Sequence, residues 1–382
     1  MIAVVGGAGQ IGSWLVRCLA RSGEPFRVIH RGRPSADVAR FALDVHSVDL
    51  RDAVALQRAL AGARVVVNCA IDKTEAPNSS RSVRNNVQAC DELIRACVTN
   101  RVQRLIHLSS IAVLPPRLTP EVMARPFDYS RERDWYRRVK VATERQMFAA
   151  RERLEICVIR PSHVYGPTLA WSRLALIRGW RDRVALPDPA VASRCHVVFV
   201  NDLVRLIHRW ATLGTPPPPM IHAVSPEPVS WAAFYGEHAA AAGLGDPLMF
   251  CSVEELRRQS RRAQPSVARR TLRRVRASRF LDPLRTSPLV RRVRAAARAR
   301  APVAPPAARE RLIAWPSALE LEQYQSSGEF SAEESGLAPR FSYLTTFAEG
   351  CRRTAEWYNG RWAALDDTEA ACVRELLRAT RS

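Results

Sequence analysis

The sequence predicts an α/β fold: a doubly wound parallel sheet with a smaller C-terminal substrate domain. Three observations carry that expectation. The chain opens on an apolar run, residues 1–5, of the kind a parallel sheet buries on both faces. The run breaks at a glycine-rich turn and resumes with helical periodicity. Short apolar runs then alternate with amphipathic stretches as far as residue 108, the rhythm of βαβ units. A hydrophobic content of 47% over 382 residues allows a large core in one two-part fold.

Taken in order, the first strand leads into Gly6, Gly7, Ala8, Gly9, Gln10, Ile11 and Gly12, then a helix over residues 13–21. Strand, glycine turn and helix form the context a dinucleotide fingerprint needs, so the sheet is expected to be Rossmann-type. Gly6 permits the tight turn, Gly9 admits the pyrophosphate to the backbone, and Gly12 lets helix and strand pack closely. Gln10 and Ile11 open the helix, whose N–H groups and positive dipole end face the phosphates. The second strand, residues 25–30, is followed by Arg31 and Arg33. NAD sites usually carry an acid here for the ribose 2′-OH. Arginines suit a 2′-phosphate, so NADP is expected, with NAD as the alternative. Asp49 and Leu50 then precede a helix over residues 52–60. A strand over residues 64–70 contains Cys69 and Ala70 and leads to Ile71. After a helix through residues 86–97, a strand over residues 103–108 ends at Ser109 and Ser110, on the carboxyl edge where open parallel sheets bind ligands.

Arginine supplies nearly all the positive charge, and Lys73 and Lys140 are the only lysines. Lys140 follows Tyr136 by four residues, one helical turn along the same face. An ammonium beside a phenol favours the phenolate, so the Tyr136 pKa is expected to fall from about 10 toward the range of a working acid or base.

These motifs, in this order, resemble the extended short-chain dehydrogenase/reductase family, which holds nucleotide-sugar epimerases, dehydratases and reductases. The resemblance rests on Gly6, Gly9 and Gly12; Asp49 with Leu50; Asn68-Cys69-Ala70; Asn86; the Ser109–Val113 stretch; Tyr136 with Lys140; and the Arg160–Pro167 segment. It continues at residues 198–203 and 346–358, and covers roughly residues 1–250 and 340–360. It implies that Asp49 contacts adenine and that residues 68–70 lie along the ribose and nicotinamide side. By the same resemblance Ser110 holds the reacting oxygen, and Tyr136 transfers a proton while hydride moves. Lys140 lowers the tyrosine pKa and binds the nicotinamide ribose; Pro161 and His163 touch nicotinamide and substrate. Two departures narrow the chemistry. Dehydratases carry an Asp-Glu pair where Ile111 and Ala112 stand, so dehydration is not expected. Many epimerases carry asparagine near His163. The sequence therefore favours an NAD(P)-dependent reductase or dehydrogenase acting on a sugar-like or nucleotide-sugar carbonyl or alcohol. An NAD-retaining epimerase is the first alternative, and a dinucleotide-binding module turned to polyanion or membrane binding the second.

The formal charge of +21 is uneven: residues 256–311 hold 18 arginines against Asp282 and Glu310, a net of +16. Helical pieces are expected over residues 267–281 and 289–300, broken by prolines. Three readings stand for this segment: peripheral contact with anionic lipid through residues 267–300, a nucleic-acid surface, or a solvated flap with a few arginines binding an anionic substrate. The last is preferred, membrane contact comes second, and the nucleic-acid surface comes last because the interleaved aromatics of a base-stacking surface are missing.

The dinucleotide domain is expected over residues 1–165, with returning segments near residues 195–212, and the substrate domain mainly over residues 166–382. No run of 18 apolar residues occurs, so no transmembrane helix is expected, and with a strand expected from Met1 on, no signal peptide is expected either. Nine cysteines without CxxC spacing read as reduced thiols of a cytoplasmic protein, and no metal is expected. A small-molecule substrate is the expected partner, and a homodimer is compatible with the sequence.

Overall fold

The computed structural model describes residues 1–32, 36–42, 44–73, 80–115, 132, 134–189, 192–263, 312–325 and 341–358. The first half alternates: β1 (Ile2–Val5), α1 (Gln10–Ser22), β2 (Phe26–His30), α2 (Ala36–Phe41), β3 (Val45–Ser47), α3 (Ala53–Ala59), β4 (Val65–Asn68), α4 (Ser80–Thr99), β5 (Arg104–Leu108), α5 (Trp135–Ala149) and β6 (Glu155–Pro161). The second half supplies β7 (His163–Tyr165), α6 (Ala170–Arg181), β8 (Asp182–Pro187), β9 (Val197–Phe199), α7 (Val200–Thr212), β10 (Met220–Ala223), α8 (Trp231–Ala241), β11 (Leu248–Cys251), α9 (Val253–Ala263), β12 (Leu312–Ala314), α10 (Ala318–Tyr324) and α11 (Phe347–Tyr358).

Seven strands form one sheet in the order β10-β6-β5-β4-β1-β2-β3, with every pairing parallel. All residues of β1, β4 and β5 are buried, the polar Asn68, Arg104 and His107 included, as in a parallel sheet covered on both faces. One face packs Trp14, Leu15 and Leu19 of α1 against Leu203, Ile207 and Trp210 of α7. The other packs Leu56, Leu93 and Cys97 with Met147 of α5. Strand order reverses at β1, which lies between β2 and β4, and the crevice at that reversal is where such sheets hold ligands.

The returning chain reaches further than expected, because β10 pairs with β6 and makes residues 220–223 part of the large sheet. Arg104, buried at the start of β5, fastens this return: it pairs with Glu155 and donates to the carbonyls of Trp210, Leu213 and Thr215. Two small parallel sheets, β11-β8-β12 and β7-β9, build the second lobe. Buried Asp202 at the start of α7 accepts from the backbone N–H groups of Leu344 (3.0 Å) and Thr345 (3.2 Å), drawing the C-terminal stretch back onto the sheet. Gly350 of α11 is required there, since a Cβ would lie 2.4 Å from the Tyr165 hydroxyl.

The expected strand over residues 64–70 stops at Asn68, whose carboxamide accepts the Ala70 N–H at 3.0 Å and turns the chain out. Among the described residues no helix is long and apolar enough to cross a membrane, no metal-ligand cluster occurs, and eight cysteines are free thiols. The helices expected at 267–281 and 289–300, and Cys372, lie outside the described residues, as does Arg33.

Candidate active site

A cavity of about 1000 Å³ runs along the carboxyl ends of β1, β2, β4, β5 and β6 into the second lobe. Of the described residues expected to bind or react, all but Gly12 line it. Gly12 instead makes the turn possible: a Cβ would lie 2.3 Å from the Gly6 carbonyl oxygen. Gly6 has φ +76°, and its Cβ would meet the Ala70 backbone nitrogen at 2.7 Å. Gly9 caps α1 without a side-chain hydrogen bond, and the first turn holds no acid. The leading N–H groups and the dipole are thus left for an anion, which fits a dinucleotide pyrophosphate. Gln10 is turned away from that task, its carboxamide donating to the Thr168 carbonyl at 3.2 Å.

At the ribose end the side chains are paired in ways the sequence hid. Arg31 reaches Asp72 through both terminal nitrogens, at 3.1 Å each, which raises its pKa further. Asp49, expected as a free acceptor for adenine, is held by Arg51 at 2.9 and 2.6 Å, and that bond keeps its carboxyl below the usual range. Asn86 of α4 fixes the Asp72 backbone on both sides, accepting its N–H at 2.8 Å and donating to its carbonyl at 3.0 Å. Sequence reasoning missed His30. It ends β2 just before Arg31, is buried, lines the cavity, and has neither ring nitrogen bonded among the described residues.

At the reacting end Ser110 leaves β5 and enters the 3₁₀ turn Ile111–Val113, its Oγ accepting the Ala112 N–H at 3.1 Å. Tyr136 stands one residue inside α5, which Asp134 caps by accepting the Arg137 N–H at 2.8 Å. Lys140 is buried one turn on, 5.8 Å from the Tyr136 ring centre, and donates from Nζ to the Leu108 carbonyl at 2.6 Å. The expected fall in the Tyr136 pKa does not occur in this state. Burial raises it, with the Ser110 hydroxyl opposing. The physical reason is burial of the phenol, to which the nearby Asp134 charge adds. Burial instead lowers Lys140 to about 8.

Arg137, a second omission, lines the cavity beside Tyr136. It donates to the Ala112 carbonyl (2.7 Å) and pairs with Glu132 (2.9 Å), so it clasps the Ser110 turn to the head of α5. Beneath, Asn68 donates to Nδ1 of buried His107 at 3.1 Å, and burial with the nearby Lys140 charge pushes that imidazole down to about 3. His163 bonds the His196 carbonyl through Nδ1 (2.8 Å), packs edge-on against Trp171 and Trp231, and is lowered to about 4 by burial. It is a neutral, aromatic part of the wall at physiological pH.

Curated relatives match part of the chain. The Arabidopsis thaliana 3beta-hydroxysteroid-dehydrogenase/decarboxylase isoform 2 is 32% identical over 155 residues, 39% of this chain and 25% of that protein. Cinnamoyl-CoA reductase 2 of Medicago truncatula is 26% identical over 186 residues, 44% of this chain and 55% of that protein. The chain thus spans between a quarter and about half the length of these relatives. The solved UDP-glucose 4-epimerase of Thermus thermophilus, in complex with NAD, superposes with a TM-score of 0.57 at 17% identity, over 94% of this chain and 99% of the other, and shares the fold. Residues 2–217 match the family described as the NAD-dependent epimerase/dehydratase family, so the chain belongs to that family, within the extended short-chain dehydrogenases/reductases.

Proposed function

We propose that the protein is an NADP(H)-using reductase or dehydrogenase, moving hydride between the nicotinamide and a carbonyl or alcohol carbon of a small substrate. The observation that carries this reading is the convergence of Ser110, Tyr136 and Lys140 on one cavity that also reaches the glycine turn. The dinucleotide, when bound, supplies or accepts the hydride. Tyr136 is the group that gives its proton to a carbonyl oxygen in the direction of reduction. Ser110 holds that oxygen and shares its developing charge. Lys140, held in place through Leu108, stabilises the phenolate left behind, and it is the group positioned to meet the nicotinamide ribose. Cys69, Ala70 and Ile71, with Pro161 and His163, wall the nicotinamide end, and Leu50 with Asp49 the adenine end.

Reduction is favoured over an internal epimerase cycle by Arg31 on the cavity wall, which suits an NADP 2′-phosphate. Ile111 and Ala112 carry no acid or base, which speaks against dehydration. A nucleotide sugar, as for the Thermus thermophilus UDP-glucose 4-epimerase, is one candidate substrate class, and an acyl-CoA of the kind cinnamoyl-CoA reductase 2 is named for is another. The test is NADPH oxidation across a panel of both classes with the full chain and with Tyr136→Phe. The reading expects one class to support turnover that Tyr136→Phe lowers by a factor on the order of 10² to 10⁴. Equal turnover in the two proteins would remove Tyr136 from the chemistry.

A further inference from the structure

Resting on the cofactor reading above, we infer that Asp72 sets the choice between NADP(H) and NAD(H) by holding Arg31 as its counter-ion at the ribose end of the cavity. The argument starts from the last residue of β2. His30 is buried, lines the cavity, and bonds no described residue through its ring. An imidazole offers donor and acceptor chemistry alike, so it serves a ribose hydroxyl or a phosphate oxygen and selects neither. Selection falls to charge.

The charge next to His30 is Arg31, and both its terminal nitrogens are turned onto Asp72, at 3.1 Å each. The two partners are not equally fixed. The Arg31 side chain is 46% exposed, that of Asp72 16%. The Asp72 backbone is pinned on both sides by Asn86, itself buried in α4, at 2.8 and 3.0 Å. Asp72 therefore stays, and Arg31 is the half of the pair that moves. The neighbouring Arg51 is likewise engaged by Asp49. A 2′-phosphate brings close to two negative charges and needs the guanidinium fork. To take it, the phosphate must displace a carboxylate that remains close by and repels it. A 2′-hydroxyl makes no such demand.

Asp72→Asn keeps the shape and the backbone bonds to Asn86 while removing the competing charge. One charge removed at about 6 Å from the phosphate, in a half-wet cleft, corresponds to a change of about tenfold in affinity. The experiment is calorimetric titration of NADPH and NADH into the full chain, Asp72→Asn, Arg31→Met and the double variant. The inference expects the NADH-to-NADPH ratio of Kd values to rise about tenfold in Asp72→Asn and to fall in Arg31→Met. In the Arg31→Met background, Asp72→Asn should leave that ratio unmoved, because its effect acts through the arginine. Arg31→Met, on a half-exposed side chain, gives a second measurement should Asp72→Asn fold poorly. A ratio unchanged or lowered by Asp72→Asn, or raised equally without Arg31, would overturn the assignment. If the unmodified chain binds neither dinucleotide, the cofactor reading falls and this inference with it; if both bind and the ratio stays put, the inference falls alone.

Discussion

Replacing Lys140 with methionine removes a buried ammonium whose presence costs the fold stability. The folded pKa is about 8 against an ordinary 10.5, because burial disfavours the charged form. That gap corresponds to about 3 kcal/mol against the protonated lysine in the folded state. The bond from Nζ to the Leu108 carbonyl works the other way, and losing it costs about 1–2 kcal/mol. Methionine fills nearly the same volume without charge. The burial cost exceeds the bond, so Lys140→Met should be more stable than the natural chain by about 1–2 kcal/mol near neutral pH. The difference shrinks as pH rises. Between about pH 8 and 10.5 the folded chain has released the Lys140 proton while the unfolded chain keeps it. The unfolded state then binds more protons, so natural-chain stability rises with pH across that window and the advantage of methionine disappears. Urea unfolding of both proteins at about pH 7 and about pH 10 isolates this effect, since other titrating groups are common to both. A Lys140→Met protein that is less stable at the lower pH, or a difference that ignores pH, would refute the reasoning. The expected result is that of a residue kept for chemistry at a cost to the fold.

Other perturbations follow from the same geometry. Gly12→Ala would put a Cβ 2.3 Å from the Gly6 carbonyl, and backbone on both sides must shift. Overpacking of that kind costs about 1–3 kcal/mol, so the variant should melt lower and lose measurable dinucleotide binding; unchanged binding by titration would count against the turn as the phosphate cradle. Arg137→Met unfastens Ala112 and Glu132 and should lower kcat by a factor of about 10² through misplacement of Ser110, with partial rescue by Arg137→Lys. Equal loss in the dinucleotide Kd would mark Arg137 as merely structural. Gly350→Ala meets the Tyr165 hydroxyl at 2.4 Å and should destabilise the second lobe by about 1–3 kcal/mol in thermal unfolding.

The parts of this molecule written as local sequence were legible in it. The glycine turn, the β1, β4 and β5 runs and the Tyr136-Lys140 spacing each lie within a few residues, and the structure places them where the pattern suggests. What escaped depends on distant partners. Arg31 finds Asp72 across 41 positions, and no periodicity announces such a pair. His30 reads as the last residue of a strand until the cavity beside it is seen. Spacing shows the charge beside Tyr136 but not the burial that raises its pKa instead of lowering it. Strands β3 and β7, of three residues each, are too short for an alternation to show.

The central claim, an exchangeable dinucleotide used for reduction by the Ser110, Tyr136 and Lys140 set, is tested most directly at the cofactor. The full chain would be purified and denatured, any released dinucleotide identified by mass, and the emptied protein titrated with NADPH and NADH. The account predicts one dinucleotide per chain, freely exchanged, with NADPH held more tightly. NAD⁺ carried through purification and released only on denaturation would contradict it and point to an internal epimerase cycle.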